Sequence, residues 1–207
     1  YYNNALDYNS AIASYNEAIK VNPLYADAYS NRGMSKKNTG DYQGAIADLD
    51  KAIELKPISS FAYSTKGVAL TYLNDLETSY KCFEKALQLD PMSGDAYSGM
   101  GVVKTRTGRV KEALKDFKRS LEIRPDHPET ISNQGIARAE SGDMQGAIAD
   151  FTTAIQLKPD YSGAYLNRGL TYKKIKQDEQ ACNDFYKASQ LGSPQGQTLV
   201  NQYCTKK

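Results

Sequence analysis

The sequence predicts an all-α protein made of stacked helix pairs, on three observations. Pro23, Pro57, Pro91, Pro125 and Pro159 follow one another at intervals of 34 residues. The stretch Asp41–Pro57, DYQGAIADLDKAIELKP, returns at Asp143–Pro159 as DMQGAIADFTTAIQLKP. Glycine recurs in the same register at Gly33, Gly67, Gly101, Gly135 and Gly169. A fixed period of this size means one supersecondary unit repeated along the chain, each copy packing mainly on its neighbours.

Numbered from Ala26, the full units span 26–59, 60–93, 94–127, 128–161 and 162–195. Residues 1–25 read as a partial repeat, mostly its second helix, and 196–207 as a capping helix with a tail. Within each unit the twentieth slot is small (Ala45, Ser79, Ala113, Ala147, Ala181) and the twenty-fourth large (Leu49, Phe83, Phe117, Phe151, Phe185). The twenty-seventh is small again (Ala52, Ala86, Ser120, Ala154, Ala188). Spacings of four and three lie on one helix face. Glycine in the eighth slot costs a helix about 1 kcal/mol against alanine, so its return five times predicts close approach of the second helix. Gly40, Gly108 and Gly142 suit the end of the first helix. Asp41, Asp75 and Asp143 suit N-caps of the second, and the proline closes it.

Composition narrows the function. The chain has 207 residues, 40% of them apolar, no Trp, 16 Tyr, and a net charge of +2. Near-neutral charge gives weak steering toward polyanions, so no nucleic-acid partner is expected. No apolar run reaches the roughly 18 residues that span a bilayer, so the chain is not expected to be membrane-spanning. The sequence starts at Tyr1 without an initiator Met, and the exposed end of a partial repeat leads us to expect chain N-terminal to it.

The search for chemistry yields no catalytic, cofactor or metal site. His127, the one histidine, lies in a turn between Pro125 and Pro128 and is expected to be solvated, with no partner to make it a base. Gly99–Thr105 lacks the glycine before lysine that a phosphate loop needs. Asp27, Asp95 and Glu129 share the second slot, where an acid favours the helix dipole. Lys104–Arg124 holds eight Lys/Arg against three Asp/Glu, interleaved as in a solvated charged face.

The aromatic fourth slot (Tyr29, Tyr63, Tyr97, Tyr165, with Ile131), Gly, Ala, Phe, Ala and Pro together resemble the tetratricopeptide repeat over residues 1 to about 195. Tyr replaces the family's usual Trp, and the eleventh slot is irregular. The resemblance implies a right-handed superhelical solenoid of antiparallel helix pairs acting as a scaffold that binds proteins or peptides, not an enzyme. It further implies that slots two, five, six, nine, twelve and thirteen of the first helices look into a concave groove. Peptide-binding candidates are then Asn31, Lys37, Tyr72, Arg106, Asn133, Asn167 and Lys173. Slot six reads Asn31, Thr65, Gly99, Asn133, Asn167, similar to the asparagine ladder of O-GlcNAc transferase repeats but broken in the middle. An Asn amide both donates to and accepts from a peptide backbone. The alternative is that these amides bond neighbouring helices. The Lys/Asn pattern of carboxylate-clamping cochaperones is absent from slots five and nine.

Cys82, Cys182 and Cys204 make an odd set. Cys182 and Cys204 each lie 11 residues from Ser193, at the turn of the last hairpin, which puts them at one height and in reach of a disulfide. The tail from Ala181 to Cys204 resembles those of some bacterial repeat proteins, several exported. The alternative is two buried thiols in a reducing compartment. Two other roles stay open: a structural spacer or assembly module using the convex face or the N-terminal end, and a regulatory repeat domain of a larger enzyme.

Overall fold

The computed structural model describes residues 5–204, and side chains from Asp7 onward. The described residues form twelve helices and no strand: α1 (Ala5–Val21), α2 (Ala26–Asn38), α3 (Tyr42–Leu55), α4 (Ser60–Tyr72), α5 (Leu76–Leu89), α6 (Gly94–Arg106), α7 (Val110–Ile123), α8 (Pro128–Ser141), α9 (Met144–Leu157), α10 (Ser162–Lys174), α11 (Asp178–Gln190) and α12 (Pro194–Tyr203). They fall into two compact units, Tyr1–Val103 and Lys104–Lys207.

Each helix end has a local cause. Gly40, Asn74, Gly108, Gly142 and Lys176 occupy one slot, and all have positive φ. Beyond it, the N–H of the next residue bonds back to the eleventh-slot carbonyl, as in Asp41 to Lys36 (2.9 Å) and Gln177 to Tyr172 (3.0 Å). This closes the first helix in a Schellman-type turn. Lys176 holds the left-handed conformation without glycine's freedom, at a cost on the order of 1 kcal/mol. The second helix then starts on a capping side chain: Asp41, Asp75 and Asp143 accept from the N–H groups of Gly44, Thr78 and Gly146. His127 differs from the solvated turn residue expected. It is the N-cap of α8, its Nδ1 accepting from the Thr130 N–H at 3.3 Å, with Pro128 at the first helical position. The last helix begins at Pro194, earlier than 196, because Ser193 caps it and accepts from the Gly196 N–H.

In Tyr1–Val103, α2 packs on α3 and α4 on α5; in Lys104–Lys207, α8 packs on α9 and α10 on α11. Leu49, Phe83, Phe117, Phe151 and Phe185 are completely buried, each worth about 2–3 kcal/mol of transfer free energy. The eighth-slot glycines explain their fit. A Cβ on Gly67, Gly135 or Gly169 would lie 2.8, 2.9 or 2.7 Å from the ring of Phe83, Phe151 or Phe185. On Gly33 it would meet Leu49 at 2.8 Å.

Candidate functional site

The first helices α2, α4, α8 and α10 present the residues on which binding would depend, and α2 touches α4 as α8 touches α10. Asn133 on α8 and Asn167 on α10 therefore occupy the same slot of neighbouring first helices. Asn31 is its counterpart on α2. All three are half-buried. Their side-chain amides bond nothing among the described residues; Asn31 and Asn167 accept hydrogen bonds only at their main-chain oxygens, from Ser35 and Thr171. The amides are thus not spent on holding helices together.

The break in this ladder has a packing cause. Gly99 sits where a Cβ would collide with the Phe83 ring, so no asparagine fits there. Thr65 is buried at 7% exposure. The fifth slot also departs from expectation. Ser30, Ser64, Ser98 and Ser132 are buried instead of facing a groove, and the Ser64 Oγ is buried without a hydrogen-bond partner. Serine is small enough to let successive first helices approach.

The other candidates divide. Lys37 is half-buried and makes no ion pair among the described residues; burial pushes its ammonium below the usual lysine range, against a weaker pull from Asp95. Tyr72 is exposed, but one face of its ring stacks on Tyr42 of α3, centroids 4.6 Å apart and planes within 5°. Arg106 is exposed at the end of α6. Lys173 is engaged: it pairs with Asp178 at 2.9 Å and lies 4.7 Å from the Tyr203 ring centroid. Cys182 and Cys204 are joined by a disulfide with Cα atoms 5.6 Å apart, while Cys82 is a buried free thiol whose pKa burial raises.

The sequence reading overlooked a set of inward carboxylates, Asp48 and Asp184 buried and Asp116 and Asp150 partly so. Asp48, Asp116, Asp150 and Asp184 share the twenty-third slot, facing the first helix of their own unit. Arg32 and Arg168, in the seventh slot, each grip one with two bonds: Arg168 Nε and Nη2 reach the Asp184 oxygens at 2.8 Å each. The third guanidinium nitrogen reaches the preceding repeat, Arg32 Nη1 to Asn16 at 2.7 Å and Arg168 Nη1 to Thr152 at 3.0 Å. Where the seventh slot is not arginine, the eleventh substitutes: Lys104 pairs with Asp116 at 2.6 Å and Arg138 with Asp150 at 2.8 Å. Lys104 is therefore buried in an ion pair and not part of a solvated basic face. The acids of the second slot likewise find lysines, Asp27 with Lys56 at 3.3 Å and Glu129 with Lys158 at 2.8 Å. The matching separation of 16 residues in Arg32/Asp48 and Arg168/Asp184 was the available signal.

Substitution from the eleventh slot is imperfect. Arg138 reaches only one Asp150 oxygen, and Oδ2 is buried without a hydrogen bond. Burial lifts the Asp150 carboxyl from 3.8 to about 6; Arg138 opposes the shift and Asp143 adds to it. A folded-state pKa above the unfolded value means that the acid form is favoured by folding. Its contribution is complete below about pH 4 and is lost as pH rises through about 6, an effect on the order of 2 kcal/mol. Asp150→Asn is expected to be more stable than wild type at pH 7 and to lose this advantage by about pH 4. Urea unfolding of both proteins across that range reads the difference; parallel pH profiles would contradict it.

Among the described residues no cluster of three or more His, Cys, Asp or Glu is placed to hold a metal ion, and no helix is long and apolar enough to cross a membrane.

Comparison with known proteins agrees with this geometry. Family models described as tetratricopeptide repeat match residues 26–58, 65–128, 105–166 and 162–191, and one described as TPR repeat matches 7–40. No curated protein sequence matches the chain. Among solved structures it is similar to YrrB, a TPR protein with an unusual peptide-binding site, at 25% identity and TM-score 0.59, covering 91% of this chain and 97% of that one. It is similar in fold to TTC0263, a thermophilic TPR protein in Thermus thermophilus, at 17% identity and TM-score 0.76, covering 87% and 97%. It also resembles the APC/C hetero-tetramer Cut9–Hcn1 at 15% identity and TM-score 0.86, covering 95% of this chain but 39% of that one. With the repeat models spread from residue 7 to residue 191 and helix pairs of the same fold throughout the described residues, the chain belongs to the tetratricopeptide-repeat family.

Proposed function

We propose that this protein-interaction scaffold holds an extended segment of a partner protein along the partly exposed faces of neighbouring first helices, gripping the peptide backbone through Asn133 and Asn167 within Lys104–Lys207; within Tyr1–Val103, Asn31 offers the same kind of contact by itself. The observation that carries the reading is that all three asparagines are half-buried and their side-chain amides bond nothing among the described residues. An amide fixed in a helix and left unsatisfied at a partly dry surface is preorganised for a main-chain donor and acceptor. Lys37, which makes no ion pair among the described residues, adds a preference for acidic side chains in a segment held at α2. YrrB, with its peptide-binding site, is a relative of the kind this reading expects.

A second reading, as an assembly module, is favoured by one feature of Tyr1–Val103. Leu24, Ile58 and Met92 follow the repeat prolines and are 73%, 74% and 56% exposed. In Lys104–Lys207 the same slot holds Asp126 and Asp160. The test is direct. Peptides that bind the wild-type protein are selected from a random display library, and their affinity is measured for Asn133→Ala/Asn167→Ala. Loss of a net hydrogen bond of about 1 kcal/mol at each site predicts weakening of roughly 30-fold in the still-folded protein. Unchanged affinity would move binding away from these helix faces and favour the assembly reading.

A further inference from the structure

The helix α12 takes the place that the next first helix takes elsewhere, packing Val200 with Ala181 and Phe185 and setting Gly196 against Ala188. Its non-covalent hold is thin. In ten residues only Gly196 and Val200 are buried. Beyond these, the partly buried Leu199 packs at the edge of the same cluster, Ser189 donates to Gln197 at 2.6 Å, and Tyr203 lies under Lys173. The connection back to α11 turns at Gly192, with φ of 86°, in a helix-closing turn like those at Gly40 and Gly142, the Ser193 N–H bonding back to Ala188 at 2.9 Å. The one covalent tie across this hairpin is the Cys182–Cys204 disulfide, and both cysteines are partly exposed.

We propose that this disulfide is a redox latch: intact, it holds α12 on α11, and when a dithiol reduces it α12 leaves and opens the C-terminal end of the repeat array. In the exchange a dithiol thiolate attacks one cysteine sulfur, the S–S bond breaks, and the other cysteine departs as a thiolate that takes a proton. The reductant's second sulfur then closes its own disulfide and frees the first cysteine. The chain gains two electrons and two protons, and the dithiol loses them. Cys82 takes no part, being buried and unpaired in Tyr1–Val103. The surface uncovered is the side of Ala181, Phe185 and Ala188 turned away from α10, residues that are fully buried while α12 is in place. Oxidised protein is therefore closed at this end and reduced protein is open.

The test uses the whole chain prepared without reductant. Thiol titration under denaturing conditions is expected to count one free thiol per chain, and three after dithiothreitol. Hydrogen exchange read by mass spectrometry is expected to speed up in residues 194–203 by about tenfold or more on reduction, with α2–α5 unchanged. Cys182→Ala/Cys204→Ala is expected to exchange like the reduced wild type and to ignore dithiothreitol. Three free thiols before reduction, or equal protection of α12 in oxidised, reduced and double-alanine proteins, would overturn the proposal.

Discussion

Replacing Arg168 by leucine is expected to cost about 3–5 kcal/mol, because it leaves Asp184 buried without its counter-ion. The Asp184 side chain is 7% exposed and both its oxygens are taken up by Arg168. The loss therefore combines an uncompensated carboxylate with the severed link to Thr152 in the preceding repeat. The second substitution, Arg168→Leu/Asp184→Leu, is expected to recover most of the stability, since a buried pair replaced by apolar side chains of similar size is close to neutral. The orphaned carboxylate also takes a proton more readily, so the single variant's deficit shrinks as pH falls. Urea unfolding of the single and double variants at two pH values measures all of this. A deficit under about 1 kcal/mol in the single variant would show that the pair is solvated in practice.

Gly135→Leu is expected to cost about 1–3 kcal/mol by forcing α8 away from α9. Even a Cβ at Gly135 would stand 2.9 Å from the Phe151 ring, and the ring is closed in at 1% exposure. Because each repeat is stabilised by the interfaces with its neighbours, the damage should also broaden the melting transition. A smaller control, Gly142→Ala, separates packing from backbone effects: no atom lies within 4 Å of its Cβ position, but its φ is +91°, so it loses stability through strain alone. An unaltered melting curve for Gly135→Leu would contradict the close approach of the two helices.

Much of the fold was legible because its signals are local and periodic. The proline interval, the aspartate caps and the small–large–small face each express a rule of a single helix, repeated until it cannot be chance. The cysteine pair was legible for a related reason, since an antiparallel hairpin matches residues equidistant from its turn. Less regular features were hidden. Lys176 closes a first helix with positive φ although lysine carries no preference for it; only its register with Gly40 and Gly142 could have pointed there. His127 reads as a turn residue because histidine is an uncommon N-cap.

The candidate site was legible in part. Asn31, Asn133 and Asn167 stand out as a column, but whether an amide faces a neighbour or is left unbonded depends on packing that no spacing encodes. Gly99 shows the same limit: its slot belongs to the column, yet the Phe83 ring claims the space. Lys173 reads as an inward charge, but its partners Asp178 and Tyr203 come from the turn and from α12. The buried aspartates were missed because their cation comes from slot seven in some repeats and slot eleven in others, which erases the periodicity of the pair.

The central claim is that the unbonded asparagine amides are the grip on a partner's backbone. The measurement that tests it most directly is the NMR spectrum of the side-chain amide groups, assigned by single substitution, as a library-selected peptide is titrated in. The account predicts that the signals of Asn133 and Asn167, on the neighbouring helices α8 and α10, shift together with the binding curve while that of Asn183, exposed on the second helix α11, stays in place. Saturation of the protein with peptide while those two signals remain unmoved would contradict it.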